Sequence, residues 1–482
     1  MIRRIKAIFR SAEQQLEFDR VKAAGLEYAL TSSGRALFLS LQPSASLEHV
    51  TGRLELLRQM IILLDRGEDP PTEGLCDLHT VLDRLALPGC CLDGPEFLLI
   101  ASFLRFVRSA HAFFSRLAER APLLHRAFAS FAPLPDLMKM ISDILDEEGN
   151  VRDDASPELK KLSADAARIE KRVQSQISTL IRRLEGQNVL QEGFSTLRGE
   201  RFVVPVRSGA RSRVPGIVHD VSSSGETFFI EPMSVVEETN ELAACRLRRR
   251  DEIRRILFSL TDEARSYHDH LLVNSETAAQ FDLLRAMARF SFRNNFSIPS
   301  VGEGLGLDLL RAHHPLLFLQ DASSSVPISI RLRSEDRVLV VSGPNAGGKT
   351  TALKTLGLLS LMAQSGMAIP AWTDSRLPLF KTWFADIGDA QDITEGVSTF
   401  SAHIRNMARI LEQADSGSLV LLDELGTATD PAEGGCLAVS CLERLAARGA
   451  LTIATSHLSP LKAWAHEFPG ARNASFRLDD VT

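Results

Sequence analysis

No two cysteines of the 482-residue chain are spaced C-x-x-C, and the six present (Cys76, Cys90, Cys91, Cys245, Cys436 and Cys441) are too sparse for a secreted scaffold. Zinc sites and a disulfide frame are therefore not indicated, and reduced thiols in a cytoplasm are expected. No apolar run or small-residue cleavage site follows the basic opening MIRRIKAIFRSAEQQ, which reads as a helix start and not as a leader. The two longest nearly uncharged stretches are FLLIASFL from Phe97, ended by Arg105, and the run 355–372, broken by Gln364, Gly366 and Pro370. Neither reads as a membrane span, and no membrane partner is expected. A formal net charge of -6 argues against a bulk polycation, although local basic stripes remain compatible with it. No fixed-period repeat is present, which disfavours a solenoid.

What is present is ordinary globular material, 44% hydrophobic and 24% charged, long enough for roughly two to four domains. Apolar residues recur at helical spacing over residues 1–154, as in LEHVTGRLELLRQMIILL, which predicts a helical core domain. Ser156 and Pro157 then offer a cap and a first-turn proline. Leu159, Leu162, Ala166, Ile169, Val173, Ile177, Leu180 and Leu184 alternate spacings of three and four, the seam of a long paired helix within 155–194. Over 195–232 the period switches to two, with a hairpin turn at Ser222 to Gly225, which predicts a small β-rich tip. Helical period returns over 233–297, long enough to run back beside the first seam. From 298 to 482 short apolar strands alternate with helices, an α/β nucleotide-binding pattern. The expected fold is thus an α-helical core with two long antiparallel, coiled-coil helices carrying a small β-rich tip, followed by an α/β nucleotide-binding domain.

The last domain carries the chemistry. Four apolar residues, 338–341, lead into Gly343, Pro344, Asn345, Ala346, Gly347, Gly348, Lys349, Thr350 and Thr351, and a helical pattern follows. Glycines there let main-chain N–H groups approach phosphates, with the helix N-terminus behind them. Lys349 would neutralise the β and γ phosphates of ATP, and the Thr350 hydroxyl would take one position on Mg²⁺. In SLVLLDELG a buried strand ends in two carboxylates: Asp423 to hold Mg²⁺ through water, Glu424 to orient or deprotonate the attacking water. ALTIATSHL is another apolar strand, ending in His457, where a polar side chain could sense the γ phosphate. Phosphate loop, helical segment, acidic strand and histidine strand follow in the order of ABC-type heads, in which two heads sandwich two nucleotides. Completing each site needs a helix N-terminus from the other head, and Ser398 and Thr399 of GVSTFSAHIRNMARIL cap one.

Two further groups read more plainly. YHDH at 267–270 places its residues two apart, which do not share a helix face, so solvated surface is expected rather than metal ligands. The runs Arg248 to Arg250 and Arg254 to Arg255 are interleaved with Asp251 and Glu252, as on a charged helix exterior. Arg207, Arg211 and Arg213 have no acidic neighbours and are the candidate nucleic-acid contacts.

Nearly the whole chain resembles the MutS family, and within it the recombination-suppressing bacterial branch. The resemblance rests on LEFDRV and LQPSASLEHV, on RFVVPVRSGARSRVPGIVHDVSSSGETFFIEPMSVVEETNEL, and on AHHPLL, SGPNAGGKTTALKTLGLL, FADIGDAQDITEGVSTFSAHIRN, LLDELGTATDPAEGG and ATSHLSPLK. It implies the core, lever and clamp architecture and a homodimer whose paired ATPase heads gate a clamp around nucleic acid or nucleoprotein. The Ser-Thr-Phe at 398–400 resembles that family's signature, in place of the LSGGQ of transporters. The visible chain begins in the helical core and stops at NASFRLDDVT, so neither mismatch reading nor nuclease activity is expected from it. His313, Leu458 and Ala428 depart from the family pattern, which bears on turnover rather than on ATP binding. The resemblance implies a cytoplasmic, ATP-hydrolysing protein that clamps branched or recombining DNA and restrains recombination. An ATP-driven factor acting on stalled ribosomes and a truncated ATP-binding scaffold with little turnover are the alternatives.

Overall fold

The computed structural model describes residues 12–343, 348–388, 399–427 and 430–475, with the backbone alone for 399–402. These residues form two compact units, one of Leu78–Arg108 and Ala132–Ser275, the other of Met1–Asp77, Ser109–Phe131 and Glu276–Thr482.

The first unit is built on the helix Pro157–Leu184. Ser156 Oγ accepts the Leu159 N–H at 3.0 Å and Pro157 opens the first turn, so the helix starts where its capping chemistry says it should. Leu159, Leu162, Ile169, Val173, Ile177 and Leu184 are buried, with Ala166 and Leu180 packed beside them. The partner helix, Val236–Arg265, buries Leu242, Cys245, Ile256 and Leu260. Gln176 bonds Glu238, Glu170 pairs with Arg246, and Ser156 bonds Glu252. As one number falls the other rises, so the two helices run antiparallel. Arg249 pairs with Asp153, Arg250 with Glu200 and Arg255 with Glu252, which makes these arginines a charged helix exterior. The helical period expected to run unbroken to residue 297 is interrupted. Ser266 Oγ bonds Glu263 O, the Tyr267 N–H bonds Ala264 O, and a second helix, His268–Arg293, begins. Bonds of i to i+3 type tighten and end the last turn there.

Between the two long helices lie β1 (Thr196–Arg198), β2 (Arg201–Arg207), β3 (Gly216–Val221) and β4 (Thr227–Pro232), an antiparallel sheet of order β1-β2-β4-β3. The Gly225 N–H closes the β3–β4 turn on Ser222 O, with φ 72° that glycine adopts without strain. Phe202, Val204, Val206 and Ile230 pack in one apolar cluster with Val173, Ile177 and Leu184.

Gly94–Ser115 is, by length and composition, apolar enough to cross a membrane. Its Phe97, Ile100, Phe103, Phe106 and Val107 are fully buried while Arg105 and Arg108 are exposed, as in an interior helix of a packed domain.

The second unit centres on a five-stranded parallel sheet of order β10-β11-β12-β8-β13, made from β8 (Val338–Ser342), β10 (Thr382–Asp386), β11 (Ser418–Leu422), β12 (Leu451–Thr455) and β13 (Ala471–Ser475). Strands β11 and β12 are buried along their whole length, as the unbroken apolar runs require of a sheet covered on both faces. A smaller sheet, order β5-β9-β6-β7, comprises β5 (Ser300–Gly302), β6 (Leu307–Ala312), β7 (Ile328–Leu332) and β9 (Arg376–Pro378). N-terminal segments belong to the same unit: the Asp282 carboxylate accepts the Leu30 and Thr31 N–H groups and the Thr31 hydroxyl. The helix Lys349–Gln364 is buried from Leu356 to its end, which accounts for most of the uncharged run 355–372.

Candidate functional site

The site lies at the carboxyl ends of β8, β11 and β12, where ligands of open parallel sheets gather. β8 runs into Gly343, whose φ is 145°, and Gly348, just before the next helix, has φ 77°. Both values lie in the region that glycine reaches without a Cβ clash. Pro344, Asn345, Ala346 and Gly347 lie outside the described residues. Lys349 opens the following helix and is buried at 3% exposure, its Nζ donating to Gly343 O at 2.8 Å. A cation at a helix N-terminus adds its charge to the positive end of the helix dipole, an arrangement suited to an incoming polyanion. Thr351, half-buried in the first turn, accepts the Thr355 hydroxyl through its carbonyl.

Thr350 and Asp423, 73 residues apart in sequence, meet: Thr350 Oγ1 donates to Asp423 Oδ2 at 2.6 Å. Parallel pairing brings this about, because β8 and β11 flank β12 and all three end at the same side of the sheet, where the helix Lys349–Gln364 begins. A hydroxyl and a carboxylate are hard oxygen donors, the kind that Mg²⁺ takes directly or through its bound water. The pair therefore fits Mg²⁺, which would supply charge neutralisation for phosphates at the loop.

Glu424 follows Asp423 but points its backbone differently, at φ 49°, the left-handed region that costs a side-chain-bearing residue energy. Its side chain is exposed, whereas Asp423 is buried. One hydroxyl supports both: Thr455 Oγ1 donates to Asp423 Oδ1 and accepts the Glu424 N–H at 2.8 Å. Thr455 is fully buried at the end of β12, and nothing in its sequence context marks it out except the strand it terminates. Beyond Glu424, Gly426 adopts φ 84° and a Cβ there would stand 2.7 Å from Gly434 O. Only glycine fits that turn.

His457 lies two residues past β12 and is exposed, next to Ser456, whose hydroxyl holds Leu425 O at 3.0 Å. Thus Lys349, Thr350, Asp423, Glu424 and His457 all lie at the same strand ends. Ser398 lies outside the described residues; Thr399 begins the helix Thr399–Gln413, and its side chain is likewise outside them. Arg207, Arg211 and Arg213 belong to the other unit. Arg207 ends β2 and donates to Leu190 O, Arg211 lies over the Phe228 ring at 5.2 Å, and all three are exposed. Arg211 and Arg213 sit on a short 3-10 turn, Ser208–Arg213, rather than in an irregular loop.

The family model described as MutS domain V matches residues 339–481. The chain is 38% identical over 469 residues to "Endonuclease MutS2" of Clostridium beijerinckii, 97% of this chain and 59% of that protein. It is 40% identical over 473 residues to the protein of the same name from Pelotomaculum thermopropionicum, 98% of this chain and 60% of the relative. The "Putative endonuclease MutS2" of Bacillus subtilis is 37% identical over 470 residues, 97% of this chain and 59% of its own length. The chain thus spans about three fifths of the length of these curated relatives. With likeness running through both compact units, the chain belongs to the MutS family, in its MutS2 branch.

Proposed function

We propose that this protein binds and hydrolyses ATP with Mg²⁺ in the cytoplasm, as a homodimer of paired heads, and uses the cycle to clamp branched or recombining DNA and so restrain recombination. What carries the proposal is the convergence of Thr350, Asp423, Glu424 and Thr455 at one sheet edge beside buried Lys349. Lys349 and the main-chain N–H groups around Gly343 and Gly348 would bind the phosphates. Thr350 and Asp423 would hold Mg²⁺, and Glu424, exposed and adjacent, would orient the attacking water. His457 would report the γ phosphate, and Ser398 and Thr399 would reach the nucleotide of the opposite head. In the other unit the helices Pro157–Leu184 and Val236–Arg265 would serve as the lever, and the β1-β2-β4-β3 sheet as the clamp. The outgoing helix would fall within 155–194, the sheet within 195–232 and the returning helix within 233–297, of which it takes Val236–Arg265. No residue of this chain is assigned to the cleavage in the relatives' printed name.

The test compares wild type with Lys349→Ala and Glu424→Gln. Lys349→Ala should lose nucleotide binding, whereas Glu424→Gln should bind ATP yet hydrolyse it about a hundredfold or more slowly. Turnover per subunit should rise with protein concentration as dimers form. Nucleic acid recovered with Glu424→Gln from lysate should be DNA; recovery of ribosomal RNA instead would replace the DNA target, and equal hydrolysis by wild type and Glu424→Gln would remove Glu424 from its role.

A further inference from the structure

β10 ends in Asp386, a residue that sequence patterns did not single out. Its main-chain carbonyl accepts the Asp423 N–H at 2.9 Å. Its carboxylate meets the helix Thr399–Gln413: Oδ2 lies 2.7 Å from His403 Nδ1, and Oδ1 accepts from Asn406 Nδ2 at 2.8 Å. His403 and Asn406 stand three apart and so share one helix face. A turn further on, Arg409 donates to Asn406 Oδ1 at 2.9 Å and holds that amide in place. One aspartate thus joins the acidic strand end, through its backbone, to the first turns of the helix, through its side chain.

Apolar contacts alone would not define that join. Met407 and Ile410 anchor the helix in the core, but such contacts are non-directional and tolerate rotation about the helix axis. Between helix and acidic pair lies a cavity of about 60 Å³ lined by Asp386, His403, Met407, Glu424, Leu437 and Cys441. Packing is therefore incomplete on this side, and directional hydrogen bonds from two donors to one carboxylate set the helix's position. The Asp386 side chain is only 15% exposed, which strengthens these bonds relative to water.

We propose that Asp386, with His403 and Asn406, is a positioning clasp that couples the start of the Thr399–Gln413 helix to the Asp423–Glu424 pair of the same head. The clasp rests on the function proposed above and deepens it. A γ phosphate engaged at Ser398 and Thr399 by the opposite head would pull on this helix, and the clasp would carry that displacement to the Asp423 main chain. Binding of nucleotide in the head's own loop, through Lys349 and Thr350, does not pass through the clasp. Asp386, His403 and Asn406 therefore act on turnover, and on its dependence on dimer formation, rather than on nucleotide affinity.

The experiment uses the full chain and the variants His403→Ala, His403→Gln, Asp386→Ala and the double variant Asp386→Ala/His403→Ala. A fluorescent ATP analogue reports the dissociation constant, steady-state hydrolysis over a range of protein concentrations reports kcat and KM, and a thermal scan reports folding. His403→Ala should lower kcat by roughly tenfold or more, as misplacement of catalytic groups does, with nucleotide affinity changed less than about threefold. His403→Gln, whose amide N–H can still reach Asp386, should recover most of the loss. The double variant should be no worse than Asp386→Ala, the mark of residues acting as one unit. Wild-type kcat and concentration dependence in folded His403→Ala, alongside a slow Glu424→Gln, would overturn the clasp alone. Parallel loss of affinity, turnover and melting temperature without rescue by Gln would reduce it to a fold contact and overturn it too. Absent hydrolysis by wild type would refute the ATPase itself, and the clasp with it.

Discussion

Replacing Thr455 with valine removes one hydroxyl and keeps the shape of a residue that is fully buried. Two bonds disappear. The hydrogen bond to the Asp423 carboxylate is charge-assisted and contributes about 1.5–3 kcal/mol, and the Glu424 N–H left behind costs about 1–3 kcal/mol if no water replaces the hydroxyl. Because Glu424 itself is exposed, water can meet part of that second cost, which brings the expected total to about 2–4 kcal/mol. The compact unit that holds the site has about 300 residues, and at about 2.1 cal/mol/K per residue its melting transition should fall by roughly 3–6 °C. Activity should respond as well. The hydroxyl offsets the strain of Glu424 at φ 49° and orients Asp423 toward Thr350, so kcat should drop about tenfold or more while ATP still binds through Lys349. Thr455→Ser keeps the oxygen and should remain near wild type in turnover. The measurements are a differential thermal scan and steady-state hydrolysis of the three proteins. A valine variant that melts and turns over like wild type, or a serine variant as impaired as valine, would refute the account.

Two more outcomes follow from other parts of the molecule. Replacing Arg207, Arg211 and Arg213 together with alanine should flatten the salt dependence of duplex DNA binding by up to about 2.7 in log K against log salt, alike for all sequences, with DNA-free ATPase little changed; an unchanged slope in a folded variant would remove the β1-β2-β4-β3 sheet as the clamp. Burial pushes the His314 imidazole down to about 4, and its Nδ1 has no hydrogen-bond partner. The folded state thus resists a proton that the unfolded chain takes up near pH 6.5, so this contribution is whole above pH 6.5 and is lost as pH falls from 6.5 toward 4. The loss amounts to about 3 kcal/mol, and denaturation of His314→Gln over that range should lack it; parallel pH profiles for the two proteins would show the imidazole titrating normally.

Local pattern carried much of this architecture. Ser156, Pro157 and the three-four spacing that follows specify a capped helix with one apolar face, because the cap hydroxyl and the 3.6-residue period act within a single element. Ser222 to Gly225 between period-two segments specifies a hairpin for the same reason, and the apolar run 338–341 before Gly343, Gly348 and Lys349 specifies strand, loop and helix. The break at Ser266 and Tyr267 was hidden because helical period continues in phase on both sides of it, while the turn is made by i to i+3 bonds that leave no mark on hydrophobic spacing.

What the sequence by itself determined, then, is which segments are strands and helices and which carboxylates, lysine and hydroxyls are available at their ends, since those depend on neighbours a few residues apart. Only the tertiary structure decided which of them meet. The strand order β10-β11-β12-β8-β13 puts Thr455 against Asp423 and Glu424, Thr350 against Asp423, and Asp386 against both Asp423 and His403. Packing of helix His268–Arg293 joins Asp282 to Thr31, 251 residues away, so that N-terminal helices belong to the unit that holds the parallel sheet. Those partners are chosen by sheet register and by the burial of whole faces, quantities summed over the fold, and no short stretch of the chain contains them.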